Sequence, residues 1–195
     1  MVDRYSTYAE LAKDKVLGRD YNIQIENRKS GVAIIAPHAG KIEAHCSLLA
    51  TYIAGADLSL YLFEGLQVNG NGDLHITSAK FDEPEAIEFL GRCEMAVGIH
   101  GRSDQGDSET IWVGGRNKTC AQQVTKALVA AGFSAAADGH HMLGHEKTNI
   151  CNRGISGAGL QLELPLSLRR RLALEDGLRD RFVASLRKVL LAHSW

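Results

Sequence analysis

Residues 31–54 read GVAIIAPHAGKIEAHCSLLATYIA. Positions 31–36 are an unbroken apolar run bounded by Ser30-Gly31 and Pro37-His38, the pattern of a strand covered on both faces. From 41 to 54 the apolar spacing turns helical, so strand, tight turn and helix follow in succession. The same alternation recurs outward from this unit. Residues 5–15 carry Tyr8, Leu11 and Ala12 at helical spacing behind a Ser6 or Thr7 cap. Residues 21–26 alternate polar and apolar as a strand with one wet face, and 58–63 read as another buried strand. A helix is expected over 83–91 with Pro84 in its first turn, then an apolar strand over 94–100. Asn117 caps a long helix that runs to Ala131 and stops at Gly132. Strands at 133–137 and 158–164 and an amphipathic helix over 174–192 complete the pattern. Strands alternating with helices predict an α/β fold, a three-layer sandwich whose mostly parallel or mixed central sheet is flanked by helices.

The chain has 195 residues, 45% of them hydrophobic, enough for one domain over 1–195 that buries roughly 70% of the surface its unfolded chain would expose. With 22 basic and 23 acidic side chains the net charge is −1. That balance argues against a nucleic-acid or anionic-membrane partner, since both require a surplus of Lys and Arg. The polar start MVDRYSTYAELAKDK lacks the apolar stretch of a signal peptide, and no segment approaches the roughly 18 apolar residues of a membrane span. A cytoplasmic, monomeric protein is expected. Cys46, Cys93, Cys120 and Cys151 are widely spaced with no C-x-x-C pair, so they read as free thiols of a reducing compartment. The eight histidines are the more informative residues.

In an open α/β sheet the ligand crevice lies outside the carboxyl ends of the strands. His38 sits at such a tip, Gly40 allows the backbone to double back, and Glu43 falls in the first turn of the following helix. His100 ends a second strand and is followed at once by Gly101. Two histidines and a glutamate are a ligand set that catalytic zinc uses while keeping a fourth position for water. In 159–164, GLQLEL, alternation sends Leu160, Leu162 and Leu164 to one face and Gln161 and Glu163 to the other. A carboxylate on an apolar strand is costly unless paired or used, so Glu163 is a candidate general base; a salt bridge to one of Arg169, Arg170 and Arg171, or plain exposure to solvent, is the alternative. In 147–154, KTNICNRG, Arg153 offers a planar fork for a substrate carboxylate or a developing oxyanion, with Asn152 beside it; a plain surface arginine is the alternative. The loop 101–110, with Arg102 and Asp104, follows His100 directly and is a candidate substrate wall. His45, two residues past Glu43 on the same helix, points away from it. His140, His141 and His145 lie in a Gly-rich loop that either rims the cleft or supports the ligands from behind. Residues 69–72, NGNG, read as a turn.

Taken in order, PHAGKIE, GIHG, NICNRG and GLQLELP resemble the bacteriophage poly-γ-glutamate hydrolase family and its relatives in bacterial chromosomes, over about residues 21–171. The resemblance implies a fold similar to zinc carboxypeptidases and one zinc ion held by His38, Glu43 and His100. It places Glu163 where those enzymes have their general base. The implied substrate is poly-γ-glutamate, cleaved at γ-glutamyl amide bonds, with Glu163 moving the proton of the attacking water and Arg153, Asn152 and Arg102 contacting substrate. Carboxypeptidases space their first ligand pair as H-x-x-E, whereas four residues separate His38 from Glu43; the longer spacing is the hydrolase family's own. No tyrosine falls in a motif matching the carboxypeptidase substrate-closing residue. A zinc amidase or peptidase acting on another amide, such as a cell-wall γ-glutamyl link, and a non-enzymatic phage accessory binding protein are the competing readings. Without a leader, a hydrolase of an extracellular polymer would reach it on cell lysis.

Overall fold

Val32, Ile34 and Ala36 face one side of the central strand and Ala33 and Ile35 the other, and all five are shut away from solvent. A strand apolar on both faces is stable only with a packed layer on each, and the computed structural model, which describes residues 3–192, supplies both. Strands β1 (Tyr21–Glu26), β2 (Val32–Gly40), β3 (Ser59–Gly65), β4 (Met95–Arg102), β5 (Ile111–Gly114), β6 (Ala135–Ala136) and β7 (Leu160–Pro165) form one sheet in the order β1-β3-β2-β4-β7-β5-β6. β3, β2, β4 and β7 run parallel; β1 pairs antiparallel with β3 and β5 antiparallel with β7. Helices α2 (Cys46–Ala54), α4 (Lys118–Ala130), α5 (Leu166–Leu174) and α6 (Asp176–Ala192) pack on one face. α1 (Tyr8–Asp14) and α3 (Pro84–Leu90) cover the other around Tyr61, Phe63 and Phe81. The expected three-layer sandwich on a mixed sheet is the architecture found. The four cysteines are buried and unpaired, and among the described residues no helix is long and apolar enough to cross a membrane.

Several boundaries differ from the sequence expectation. The helix after β2 begins at Cys46, because His45 adopts a left-handed conformation (φ 73°) and breaks the run. Glu43 therefore lies in the turn before the helix and not in its first turn. The expected helix over 174–192 is α6, which begins at Asp176; α5 over 166–174 lies in a stretch not expected to be helical, Glu175 is extended between the two, and the Arg179 guanidinium donates to the Leu172 and Ala173 carbonyls across the corner. α5 carries Arg169, Arg170 and Arg171 in succession and is held down by Leu168 and Leu172, four residues apart and both buried; each contributes about 1.5–3 kcal/mol relative to exposure. β6 is only two residues long. β5 lies in a stretch not expected to be a strand, although Ile111 and Val113 alternate with Trp112 and Gly114 and both are buried.

Two features of this topology build the site. The chain leaves β2 for β3 on one side and returns on the other side of β2 as β4. This order opens a crevice between the carboxyl ends of β2 and β4, the usual ligand position of open α/β sheets. In β2 the register with β3 steps from Ala36↔Leu62 to Ala39↔Glu64, so three steps on β2 match two on β3. The extra residue is a β-bulge at Pro37-His38. It reverses the parity of the strand: Ala36 and Ala39 both enter the same core, and His38 emerges on the opposite face beside Phe81.

Candidate metal centre

Three electron-pair donors converge at that crevice. His38 Nδ1 lies 3.2 Å from His100 Nδ1 and 3.3 Å from Glu43 Oε1, and His100 Nδ1 lies 3.8 Å from Glu43 Oε2. Tetrahedral zinc with bonds near 2.0–2.1 Å separates its ligands by about 3.3 Å, so these spacings suit a single small cation with little rearrangement. The rings are also oriented from behind. His38 Nε2 contacts the Ile76 carbonyl at 2.8 Å, which leaves Nδ1 with its lone pair toward the cluster, and His100 Nε2 lies 3.5 Å from Ser78 Oγ. The chemistry of the donor set and its backing therefore fit a bound metal.

Local folding fixes Glu43 as firmly as the rings. Gly40 takes φ 65°, and a Cβ there would stand 2.6 Å from the Gly65 carbonyl oxygen, so only glycine permits the reversal. The turn closes with Glu43 N–H donating to His38 O at 2.8 Å, and Gly101 N–H donates to Glu43 Oε2 at 2.7 Å. Burial works against the Glu43 charge, but the facing His38, the nearby His100 and the Gly101 amide together bring its pKa down to about 2. For His38, burial is outweighed by Glu43 and its pKa rises. Burial lowers His100 to about 3. Converging lone pairs repel one another unless a cation lies among them, and without a metal the His38–Glu43 pair supplies a proton.

A fourth group adjoins the cluster that sequence reasoning missed. The His75 imidazole stacks on His38 with ring centroids 4.1 Å apart, and one of its nitrogens comes within 4.8 Å of donor atoms on His38 and Glu43. Its Nδ1 is 2.8 Å from Asp3 Oδ1. His38, Glu43 and His75 are thus possible metal-binding residues; the His75 ring centroid is the nearer to His38, against 5.1 Å for His100, whose Nδ1 instead faces that of His38. His75 follows a 3-10 turn far from any strand tip, so the rule that pointed to His38 and His100 passes over it.

Glu163 pairs in register with His100 on one side and Trp112 on the other. Gln161, also on the face opposite the leucine core, donates Nε2 to Glu163 Oε1 at 3.1 Å and accepts from Asn149 Nδ2 at 3.0 Å. Burial, then the charge of Glu43, pushes the Glu163 carboxyl well above the usual range despite Arg102 and Arg169 nearby. A cavity of about 700 Å³ opens over the cluster and includes His38, Glu43, His75, His100, Gln161 and Glu163 in its wall. It is the size of a small-molecule or oligomer-segment site. His141 joins that wall, and His140 instead stacks flat on Trp112 at 5.4 Å. His145 and His45 do not line it.

A profile of the family described as poly-gamma-glutamate hydrolase matches residues 5–185. The chain belongs to the poly-γ-glutamate hydrolase family. Among its relatives in Bacillus subtilis strain 168, the SPbeta prophage-derived protein YoqZ is 37% identical over 172 residues, 87% of this chain. YndL is 34% identical over 93% of this chain. The chain spans 61% of the length of YoqZ and 71% of that of YndL. A structure of bacteriophage poly-γ-glutamate hydrolase superposes with a TM-score of 0.92 at 28% identity, over 98% of each chain. A zinc-free structure of YndL gives 0.90 at 30% identity over the whole of both. The amidase AmiC2 of Nostoc punctiforme shares the fold alone, at 12% identity and a TM-score of 0.51.

The remaining expected site residues part company within the family fold. Arg102 is buried in the cavity wall, where it lies flat on Trp112 at 3.9 Å and donates to the Ser103, Asp104 and Thr110 carbonyls. Arg153 is not brought to the cavity. Its loop packs at the amino end of β4, with Ile155 N–H on Cys93 O and Ser156 N–H on Glu94 O. His100 stands five residues past Met95, about 17 Å further along the strand at 3.3 Å per residue. Asn152 is buried away from the cavity too. Its Nδ2 donates to Gly144 O and Glu146 O, and its Oδ1 accepts from Arg116 N and Gly159 N. This amide ties the loop carrying His141 to β7. Asn152→Ala strands buried backbone partners and is expected to cost about 2–3 kcal/mol, read as a lower denaturation midpoint with unchanged slope; a midpoint equal to the parent's contradicts the tie.

Proposed function

We propose that this protein is a zinc-dependent hydrolase of poly-γ-glutamate, cleaving γ-glutamyl amide bonds with activated water, and that residues 1–195 work as one monomeric hydrolase domain. The observation that carries the reading is the convergence of His38, Glu43 and His100 within 3.2–3.8 Å of one another, in a chain of this family, with Glu163 on the next strand. Those three side chains would hold the zinc. A zinc ion held there supplies Lewis-acid polarisation of a carbonyl and acidifies water to a pKa near 7. The protein's own groups do the rest. Glu163, aimed by Gln161, accepts the proton of the attacking water and returns it to the leaving amine. The Arg102 guanidinium, which packs on the half-buried ring of Trp112, shapes the wall near that carboxylate.

Substrate class is tested by offering the zinc-loaded protein poly-γ-glutamate and peptidoglycan fragments side by side. Shortened poly-γ-glutamate with intact cell-wall fragments is the expected result. Cleavage of the fragments alone would move the assignment to an amidase of the same fold. Cleavage of neither, together with tight salt-sensitive DNA binding, would return it to a binding protein. Synthesis in the cytoplasm with release on lysis is the matching localisation; hydrolysis in culture supernatant before lysis would contradict it.

A further inference from the structure

The proposed substrate carries a carboxylate on every residue, so the cavity needs a cation with hydrogen-bonding capacity to spare. Four strongly basic side chains line it: Lys41, Arg102, Arg169 and Arg170. Three are already bonded within the fold, although Arg102 keeps a buried Nε without a partner and Lys41 has one N–H to spare. Arg169 is buried and donates to the carbonyls of Leu164, Ala44 and Arg102. It crosses directly over Gly101, where a Cβ would stand 2.3 Å from its guanidinium carbon. Arg102 is held by three carbonyls and lies 3.2 Å from Asp107. Lys41 Nζ donates to Leu66 O and Gln67 O, both at 3.2 Å. Arg170 differs. It is exposed at the cavity rim, and among the described residues it alone of the four makes no hydrogen bond or ion pair.

Its placement is nevertheless rigid. β7 runs straight into α5 at Pro165, so Arg170 is seven residues past Glu163 on a helix pinned by Leu168, Leu172 and the three bonds of Arg169. An unpaired guanidinium presents a planar fork that matches a carboxylate bidentately. We infer that Arg170 is a specificity residue that anchors a substrate side-chain carboxylate, the role the sequence pattern had suggested for Arg153. The inference rests on the proposed poly-γ-glutamate activity.

The test is a KM and kcat comparison on poly-γ-glutamate with the zinc-loaded protein. Arg170→Ala is expected to raise KM about tenfold with kcat within about twofold, the size of one charge-assisted contact at an exposed rim. Arg170→Lys is expected to recover part of that loss. On the same polymer with its carboxylates methyl-esterified, parent and Arg170→Ala should have equal KM. Arg153→Ala, at the far end of the sheet, is the control and should match the parent. A KM for Arg170→Ala within twofold of the parent, or an equal rise on the esterified polymer, overturns the anchor. A parent that does not cleave the polymer refutes the activity and not the anchor. Fluorescence anisotropy with labelled poly-γ-glutamate then reads the anchor directly, with the same tenfold loss for Arg170→Ala expected and an unchanged Kd overturning it.

Discussion

Glu163→Gln is expected to lower kcat on poly-γ-glutamate by about 10²–10⁴-fold, the usual contribution of a positioned general base, while zinc content stays at the parent value. The amide is nearly isosteric, and its oxygen can accept from the Gln161 Nε2 that bonds Glu163. What is lost is the ability to take a proton. The same change has a second, separable effect on the metal-free protein. Burial and the Glu43 charge raise the folded-state pKa of Glu163, so the folded chain holds a proton that the unfolded chain releases above the ordinary carboxylate pKa. Stability therefore falls as pH climbs from about 4.3 toward the raised value. Glutamine has no such loss, so the variant is expected to melt higher than the parent in metal-free form, by a margin that widens as pH rises above the ordinary carboxylate range. A variant that turned over at the parent rate would remove Glu163 from the chemistry. A margin that stayed constant with pH would mean the carboxylate is ionised in the folded state.

His100→Ala is expected to abolish zinc retention and turnover together, and it decides which histidine completes the set with His38 and Glu43. His100 Nδ1 is 3.2 Å from His38 Nδ1, and its ring is fully enclosed. His75 has Nδ1 against Asp3 and stacks on the His38 ring, an arrangement that steadies a ligand. Competition with a chromophoric chelator should show a loss well beyond about 100-fold in zinc affinity for His100→Ala. For His75→Ala a loss of roughly tenfold is expected, as for removal of a partner that orients a ligand. The reverse ranking would make His75 the ligand. Both variants should remain folded, since the two apolar layers are independent of the cluster.

The layers and the strand-end histidines were legible because they follow from local rules. An apolar run longer than its helix period marks a buried strand, and in an α/β sheet the carboxyl tips of such strands are where ligands gather. Period-two alternation likewise placed Gln161 with Glu163, although only the carboxylate drew notice. What stayed hidden depends on long-range contacts. The left-handed turn at His45 has no glycine to announce it. α5, which carries three arginines in succession, ends at a corner held by Arg179 from the next helix. In sequence Arg153 sits between the cavity loop and β7, but the Cys93 and Glu94 carbonyls hold its loop at the amino end of β4, opposite the cluster. His75 reaches the cluster through Asp3, 72 residues earlier. The unpaired state of Arg170 is visible only once the bonds of its neighbours are known.

If one zinc ion at His38, Glu43 and His100 drives poly-γ-glutamate cleavage, the chain length of the polymer after incubation with protein stripped by chelator and titrated with zinc will show it. The stripped protein is expected to leave the polymer intact, and shortening should return in proportion to added zinc and level off at one equivalent per chain. Shortening at the full rate by the stripped protein, or none at one equivalent, would contradict it.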